Sequence, residues 1–115
     1  MRVLYIEPGK RPREIDIEHT LAKMQELVGG YIQATYPFDD PVALVCDDDG
    51  KLKGDTEWNR TLGDYDIIKG PFFICGLGNE EFTDLAPELI EKYKRMFWDI
   101  QYFIPTPMGL IAYSE

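Results

Sequence analysis

The sequence predicts an α+β domain, a mostly antiparallel sheet of about six short strands with two helices packed on it. Three observations predict it. Short runs rich in β-branched and aromatic residues, stopped by Pro and Gly turn signals, have the composition of strands. Only two segments carry apolar residues at helical spacing. The chain ends in two apolar runs around a Pro-Gly-containing turn, the pattern of a hairpin. At 115 residues the chain is expected to form a single domain over 1–115.

Val3-Leu4-Tyr5-Ile6 reads as the first strand, stopped by Glu7-Pro8-Gly9, and Arg13 to Ile17 alternates charged and apolar residues like a half-buried strand. Leu21, Met24, Leu27 and Val28 form the stripe of a first helix, ended by Gly29-Gly30. Tyr31 to Tyr36 returns to strand composition. Val42 to Cys46 has no polar member and is expected to be a central strand buried on both faces. Asp47-Asp48-Asp49-Gly50 reads as a solvated hairpin turn. Residues 51–66 read as polar and irregular, anchored by Trp58 and Leu62. Ile67-Ile68 and Phe72 to Cys75 read as one interrupted strand or two short ones. A second helix is predicted over 84–98, with Leu85, Leu89, Tyr93, Met96 and Phe97 as its stripe and exposed Glu88–Lys92 and Glu91–Arg95 pairs.

Charge and composition narrow the function classes. Twelve Lys and Arg against 21 Asp and Glu give a net charge of −9, which disfavours direct nucleic-acid binding and anionic lipid. No apolar run approaches the length of a membrane span. The opening residues, broken at Pro8, do not read as a signal peptide. A cytoplasmic location is expected.

Catalytic and metal motifs find little support. His19 is the only histidine, Ser114 the only serine, and neither belongs to a recognisable nucleophile motif. Cys46 and Cys75 lie in apolar strands and read as core thiols; neighbouring strands would bring them near each other. The Asp47–Gly50 run fails the calcium-loop pattern, because its fifth and sixth positions are Lys51 and Leu52. No metal, no cofactor and no enzymatic activity are expected.

Binding features are more numerous. Gly76-Leu77-Gly78-Asn79 reads as a glycine-built turn between strand and helix, whose backbone N–H groups could meet an anion. Lys10-Arg11-Pro12-Arg13 reads as a solvated basic turn. Arg60, a lone Arg in an acidic stretch directly after Trp58 and Asn59, either pairs with a nearby Asp or offers a planar donor fork to a ligand. Tyr31, Tyr36, Phe38 and Trp58 flank the irregular segments and could stack on a purine where they line a cleft.

These short motifs occur in a recognisable order. Met1 to Pro8, Leu27 to Ile32, Asp40 to Cys46, Gly50-Lys51-Leu52, Asn59-Arg60 and Asp66-Ile67-Ile68-x-Gly70-x-Phe72 together resemble the DUF3846 family, through about residue 97. The resemblance implies a small phage or mobile-element protein and brings no established active site with it. Small phage proteins without catalytic constellations often counter host defence. The resulting expectation is a non-enzymatic sponge that sequesters a nucleotide immune signal, such as a cyclic ADP-ribose-like molecule or a cyclic oligonucleotide, and so inhibits bacterial anti-phage defence in the host cytoplasm. Its expected ligand contacts are Tyr31, Tyr36, Trp58, Asn59, Arg60, Gly76, Gly78 and Asn79. On that reading Arg60→Ala abolishes binding and leaves the fold intact. A homo-oligomer fits, because pockets often form at symmetric interfaces. The alternative is an acidic inhibitor that mimics DNA and occupies a host nucleic-acid-binding defence enzyme.

Overall fold

The computed structural model describes residues 1–64 and 66–115. Its centre is a six-stranded sheet in which every pairing is antiparallel. The strands are β1 (Arg2–Ile6), β2 (Arg13–Asp16), β3 (Ile32–Thr35), β4 (Val42–Asp47), β7 (Phe72–Leu77) and β8 (Phe82–Thr83). They run in the order β2-β1-β7-β4-β3, with β8 on the far end of β7. Two further hairpins stand off this sheet: β5 (Trp58–Leu62) with β6 (Asp66–Lys69), and β9 (Gln101–Thr106) with β10 (Gly109–Ser114). The helices are α1 (Leu21–Val28) and α2 (Pro87–Met96). The fold class is α+β, as the sequence predicts.

Both faces of the sheet are covered, which explains why its inner strands lack polar residues. In β1, Val3 and Tyr5 face α1 together with Ala43, Val45, Phe73 and Cys75, against Met24 and Val28. Leu4 and Ile6 point the other way with Val42, Leu44, Phe72 and Ile74. That second cluster packs against Ile90, Tyr93 and Phe97, and against Leu62 and Ile68 of the β5–β6 hairpin. Each fully buried Leu, Ile or Phe here is worth roughly 1.5–3 kcal/mol. Thr20 caps α1 by accepting from the Lys23 N–H at 3.2 Å, and Gly29 ends it at φ 86°, a left-handed conformation that favours glycine. Tyr5 Oη donates to the Leu27 carbonyl at 2.6 Å, fastening the helix to the sheet.

Several expectations are corrected by the tertiary structure. The segment 51–66 is not irregular throughout: it holds a 3₁₀ turn at Gly50–Leu52 and the strand β5. Position 65, within that segment, lies outside the described residues. Asp47–Gly50 is not a hairpin tip, since β4 pairs with β3 and β7 and never with β5. Asp47 is buried, accepting from the Asp49 N–H at 3.0 Å and from Lys53 Nζ at 2.5 Å. The runs around Ile67 and Phe72 are two strands in different sheets. On α2, Ile90 takes the buried place expected of Met96, which is 51% exposed. Lys92 pairs with Asp40 instead of Glu88, and no Glu91–Arg95 ion pair forms among the described residues.

Cys46 and Cys75 sit in neighbouring strands but on opposite faces of the sheet, so they do not meet. Burial pushes the Cys46 thiol up to about 11 and Cys75 to about 12. Both are therefore protonated and unreactive at neutral pH.

Candidate functional site

The most unusual residue in the interior is Arg60, 1% exposed, beside Asn59 at 0%. A buried guanidinium normally lies against a carboxylate. Among the described residues Arg60 has no such ion pair; its partners are backbone carbonyls and one amide. Nε donates to the Phe97 carbonyl at 3.1 Å and Nη2 to the Lys10 carbonyl at 2.6 Å. Nη1 donates to the carbonyl and side-chain oxygens of Asn59 at 3.2 and 2.8 Å. These bonds occupy four of the five N–H groups a guanidinium carries.

Asn59 extends the network. Its Nδ2 donates to the Ile6 carbonyl at 3.0 Å and to the Gly70 carbonyl at 2.9 Å. Two consecutive residues of β5 thus tie together β1, the β1–β2 loop, the end of β6 and the C-terminus of α2. The Phe97 carbonyl lies at the negative end of the α2 dipole, a favourable place for a cation. Burial, and then the charge of nearby Arg11, press the Arg60 pKa below its usual value while Asp99 opposes them. Arg11 itself donates to the carbonyls of Trp98 at 2.8 Å and Glu115 at 2.9 Å, and its guanidinium lies 5.2 Å from the Trp98 ring centre.

Arg60 also forms part of the wall of a cavity of about 430 Å³ between β5, the end of α2, the Tyr36–Pro41 loop and the foot of the β9–β10 hairpin. Phe38, Met96 and Phe97 supply apolar surface to it, and Thr61, Asp99, Gln101 and Ser114 supply polar groups. Phe38 is held by Tyr93, with ring centres 4.6 Å apart, and lies 6.3 Å from Phe97. Its loop is pinned from below: Tyr93 Oη and Lys92 Nζ donate to the same Asp40 oxygen at 2.5 and 2.6 Å. Those two bonds, Lys92 first, hold the Asp40 carboxyl below its usual pKa. Burial and the Asp40 bond push the Tyr93 hydroxyl upward. On the opposite wall Gln101 Oε1 accepts from the Thr61 backbone N–H at 2.7 Å.

The eight residues expected to bind ligand do not come together. Asn59 and Arg60 are interior and largely occupied, and Arg60 pairs with carbonyls where a nearby Asp or a ligand was expected. Trp58 is half-buried, 5.4 Å from Lys69 Nζ and 6.3 Å from the Phe103 ring. Tyr31 is 74% exposed, outside the elements that wall the cavity. Tyr36 and Gly78 share an open hollow of about 590 Å³ with His19, Leu77, Glu80, Glu81 and Phe82.

The glycine-rich segment has a different role from an anion cradle. Gly76 and Leu77 belong to β7, and the turn after them returns to β8, not to a helix. A Cβ at Gly76 would overlap the Asp84 carbonyl oxygen, so glycine serves a close backbone approach there. The N–H groups of Leu77 and Gly78 are taken by the carbonyls of Pro41 and Glu81 at 2.9 and 2.8 Å. Asn79 is exposed in that turn.

Phe38, Thr61, Met96, Phe97, Gln101 and Ser114 were not anticipated as a group. They come from four separate segments, and no local spacing joins them. Among the described residues, no three or more His, Cys, Asp or Glu side chains gather as a metal site. No described helix is long and apolar enough to cross a membrane.

No curated protein and no solved structure matches the chain. The family model for a domain of unknown function, DUF3846, matches residues 1–98. That span contains every strand of the central sheet, both helices and the Asn59–Arg60 network, and stops short of β9 and β10. The chain belongs to the DUF3846 family.

Proposed function

We propose that this protein is a non-enzymatic binding protein that captures a small anionic nucleotide in the cavity beside Arg60. One observation carries the reading: a fully buried guanidinium that makes no carboxylate ion pair among the described residues, set in the wall of a cavity with aromatic surface. A guanidinium held by neutral carbonyl and amide acceptors keeps its full positive charge, and an anion arriving beside it is drawn by that field. The volume of about 430 Å³ falls in the range of small-molecule sites, roughly 300–1,000 Å³. Phe38 and Phe97 offer faces for a base, and the Asp99 carboxylate can accept from ribose hydroxyls or an exocyclic amine. Sequestering a nucleotide immune signal is the biological role this chemistry would serve.

The test is calorimetric titration against ADP-ribose derivatives, cyclic ADP-ribose isomers and cyclic oligonucleotides, with mass spectrometry of each mixture afterwards. Expected is a saturable ligand recovered intact. Met96→Glu at the exposed rim should weaken it at least about tenfold, equivalent to about 1.4 kcal/mol, by repelling phosphate. Unchanged affinity in that variant removes the cavity from the reading. A degraded ligand makes the protein an enzyme, and silence across the panel ends the nucleotide proposal.

A second reading rests on the hollow lined by His19, Tyr36, Leu77, Glu80, Glu81 and Phe82, which has two carboxylates, two aromatic rings and no Lys or Arg. That chemistry suits a basic side chain of a protein partner, as an acidic inhibitor of a nucleic-acid-binding enzyme would need. Its binding should weaken steeply with salt and be lost on Glu80→Lys/Glu81→Lys.

A further inference from the structure

The β9–β10 hairpin differs from everything before it. From Ile100 to Ser114 it carries no charged residue, on a chain of net charge −9, and it lies beyond the 1–98 match to the family. Its register sets Tyr113 opposite Tyr102 and Ile111 opposite Ile104. Alternation along each strand then puts these four side chains on one face. All four are open to solvent, at 38% for Tyr102, 49% for Ile104, 54% for Ile111 and 51% for Tyr113. Met108 at the tip is 95% exposed. The other face is the anchored one, through Phe103 against Trp58 and Gln101 against Thr61. Among the described residues β10 has β9 as its sole strand neighbour, and between Gly109 and Ser114 it has none of the charges or prolines that normally protect an edge.

We infer that this face is a homodimer contact, in which the hairpins of two copies pack face to face through Tyr102, Ile104, Ile111 and Tyr113. Charge and symmetry select a second copy as the occupant. The four side chains of the face carry no charge, with Glu115 only at its Tyr102 end, so two such faces need no counter-charge, whereas a basic partner would be drawn to the acidic body. The face also matches itself. A twofold axis running across the strands, midway between the tyrosine pair and the isoleucine pair, lays each pair of one copy on the other pair of its partner. A covered aromatic buries roughly 150–250 Å², so these partly exposed side chains and Met108 offer on the order of 500 Å² per copy. The total of about 1,000 Å² meets the lower bound of a specific interface, which makes the dimer reversible. Because the two bodies repel each other, added salt should strengthen this dimer. A contact held by charge complementarity would respond in the opposite sense.

The experiment is sedimentation velocity on the full chain from about 1 to about 100 μM, at about 50 and about 300 mM salt. Expected is a shift from the 13.3 kDa protomer toward twice that mass with concentration, occurring at lower concentration in the higher salt. Ile104→Asp/Ile111→Lys, whose opposite charges face each other across the strands, should remain monomeric throughout, with an unchanged circular-dichroism spectrum and, below the parent's dimer midpoint, an unchanged melting temperature. Leu52→Asp, at a residue 84% exposed on the 3₁₀ turn, should dimerise like the parent. A monomer at every concentration overturns the inference and leaves the face to a different protein. A dimer that survives the double substitution, or that weakens with salt, overturns it as well.

Discussion

The two hairpins that stand off the central sheet invert the usual relation between composition and burial. β5 and β6 lie in a stretch dense with Asp, Glu and Lys, yet the β5 pair Asn59 and Arg60 is sealed inside the molecule. β9 and β10 are apolar and uncharged, yet most of their large side chains face water. The difference lies in what each hairpin presents to the body. β5 offers donors that match orphan carbonyls at Ile6, Lys10, Gly70 and Phe97. β9 offers Gln101 and one ring, and its other face finds nothing to cover it. A buried polar group with every partner in place is as much a part of a core as a leucine, and an apolar face without a neighbour is not core at all.

Arg60→Ala would test that comparison most severely. The substitution leaves the Phe97 and Lys10 carbonyls and the Asn59 side-chain oxygen without their donor in the interior. Each buried acceptor left without its donor costs about 1–3 kcal/mol, against a typical domain stability of about 5–15 kcal/mol. Chemical denaturation should show a large drop in midpoint or no folded baseline, replacing the expectation from sequence that this variant keeps its fold. Arg60→Lys should fall between, because an ammonium keeps the charge but not the fork. Wild-type stability in Arg60→Ala would mean the network is dispensable.

Asn59→Ala comes next. It removes two donations and the acceptor of Arg60 Nη1, with an expected loss of roughly 2–3 kcal/mol at two unsatisfied carbonyls. The readout is the same denaturation midpoint, and amide exchange near Ile6 and Gly70 should rise with it. If Asn59→Ala proved costlier than Arg60→Ala, the amide and not the guanidinium would be the centre of the network.

Legibility in the sequence followed the same division. Periodicity located β1, β4, β7 and both helices, because their burial is apolar and repeats along the chain. It could also place Val42–Cys46 at the centre, since only a strand covered on both faces lacks polar residues. β5 escaped for a physical reason. Its stability comes from hydrogen bonds to carbonyls far away in sequence, and Asn59 and Arg60 look no different from solvated residues until those carbonyls are in place. Arg60 stands out in the sequence as the one Arg of an acidic stretch, but its partners were invisible. The cavity was less legible still. Phe38, Met96, Phe97 and Gln101 meet only because α2 ends where β5 crosses it.

The smallest effect is expected at the other hairpin, where Ile111→Ser should leave stability within about 0.5 kcal/mol of the parent. Ile111 is 54% exposed and belongs to neither buried cluster, so removing its apolar surface forfeits little burial. In the unfolded chain the same side chain is also in water, and the two states lose nearly the same interaction. The measurement must be made at low protein concentration, below the dimer's midpoint, so that association does not add to folding stability. A loss above about 2 kcal/mol there would equal that of a buried aliphatic residue. It would mean that the hairpin folds back on the body, and the contrast between the two hairpins would disappear.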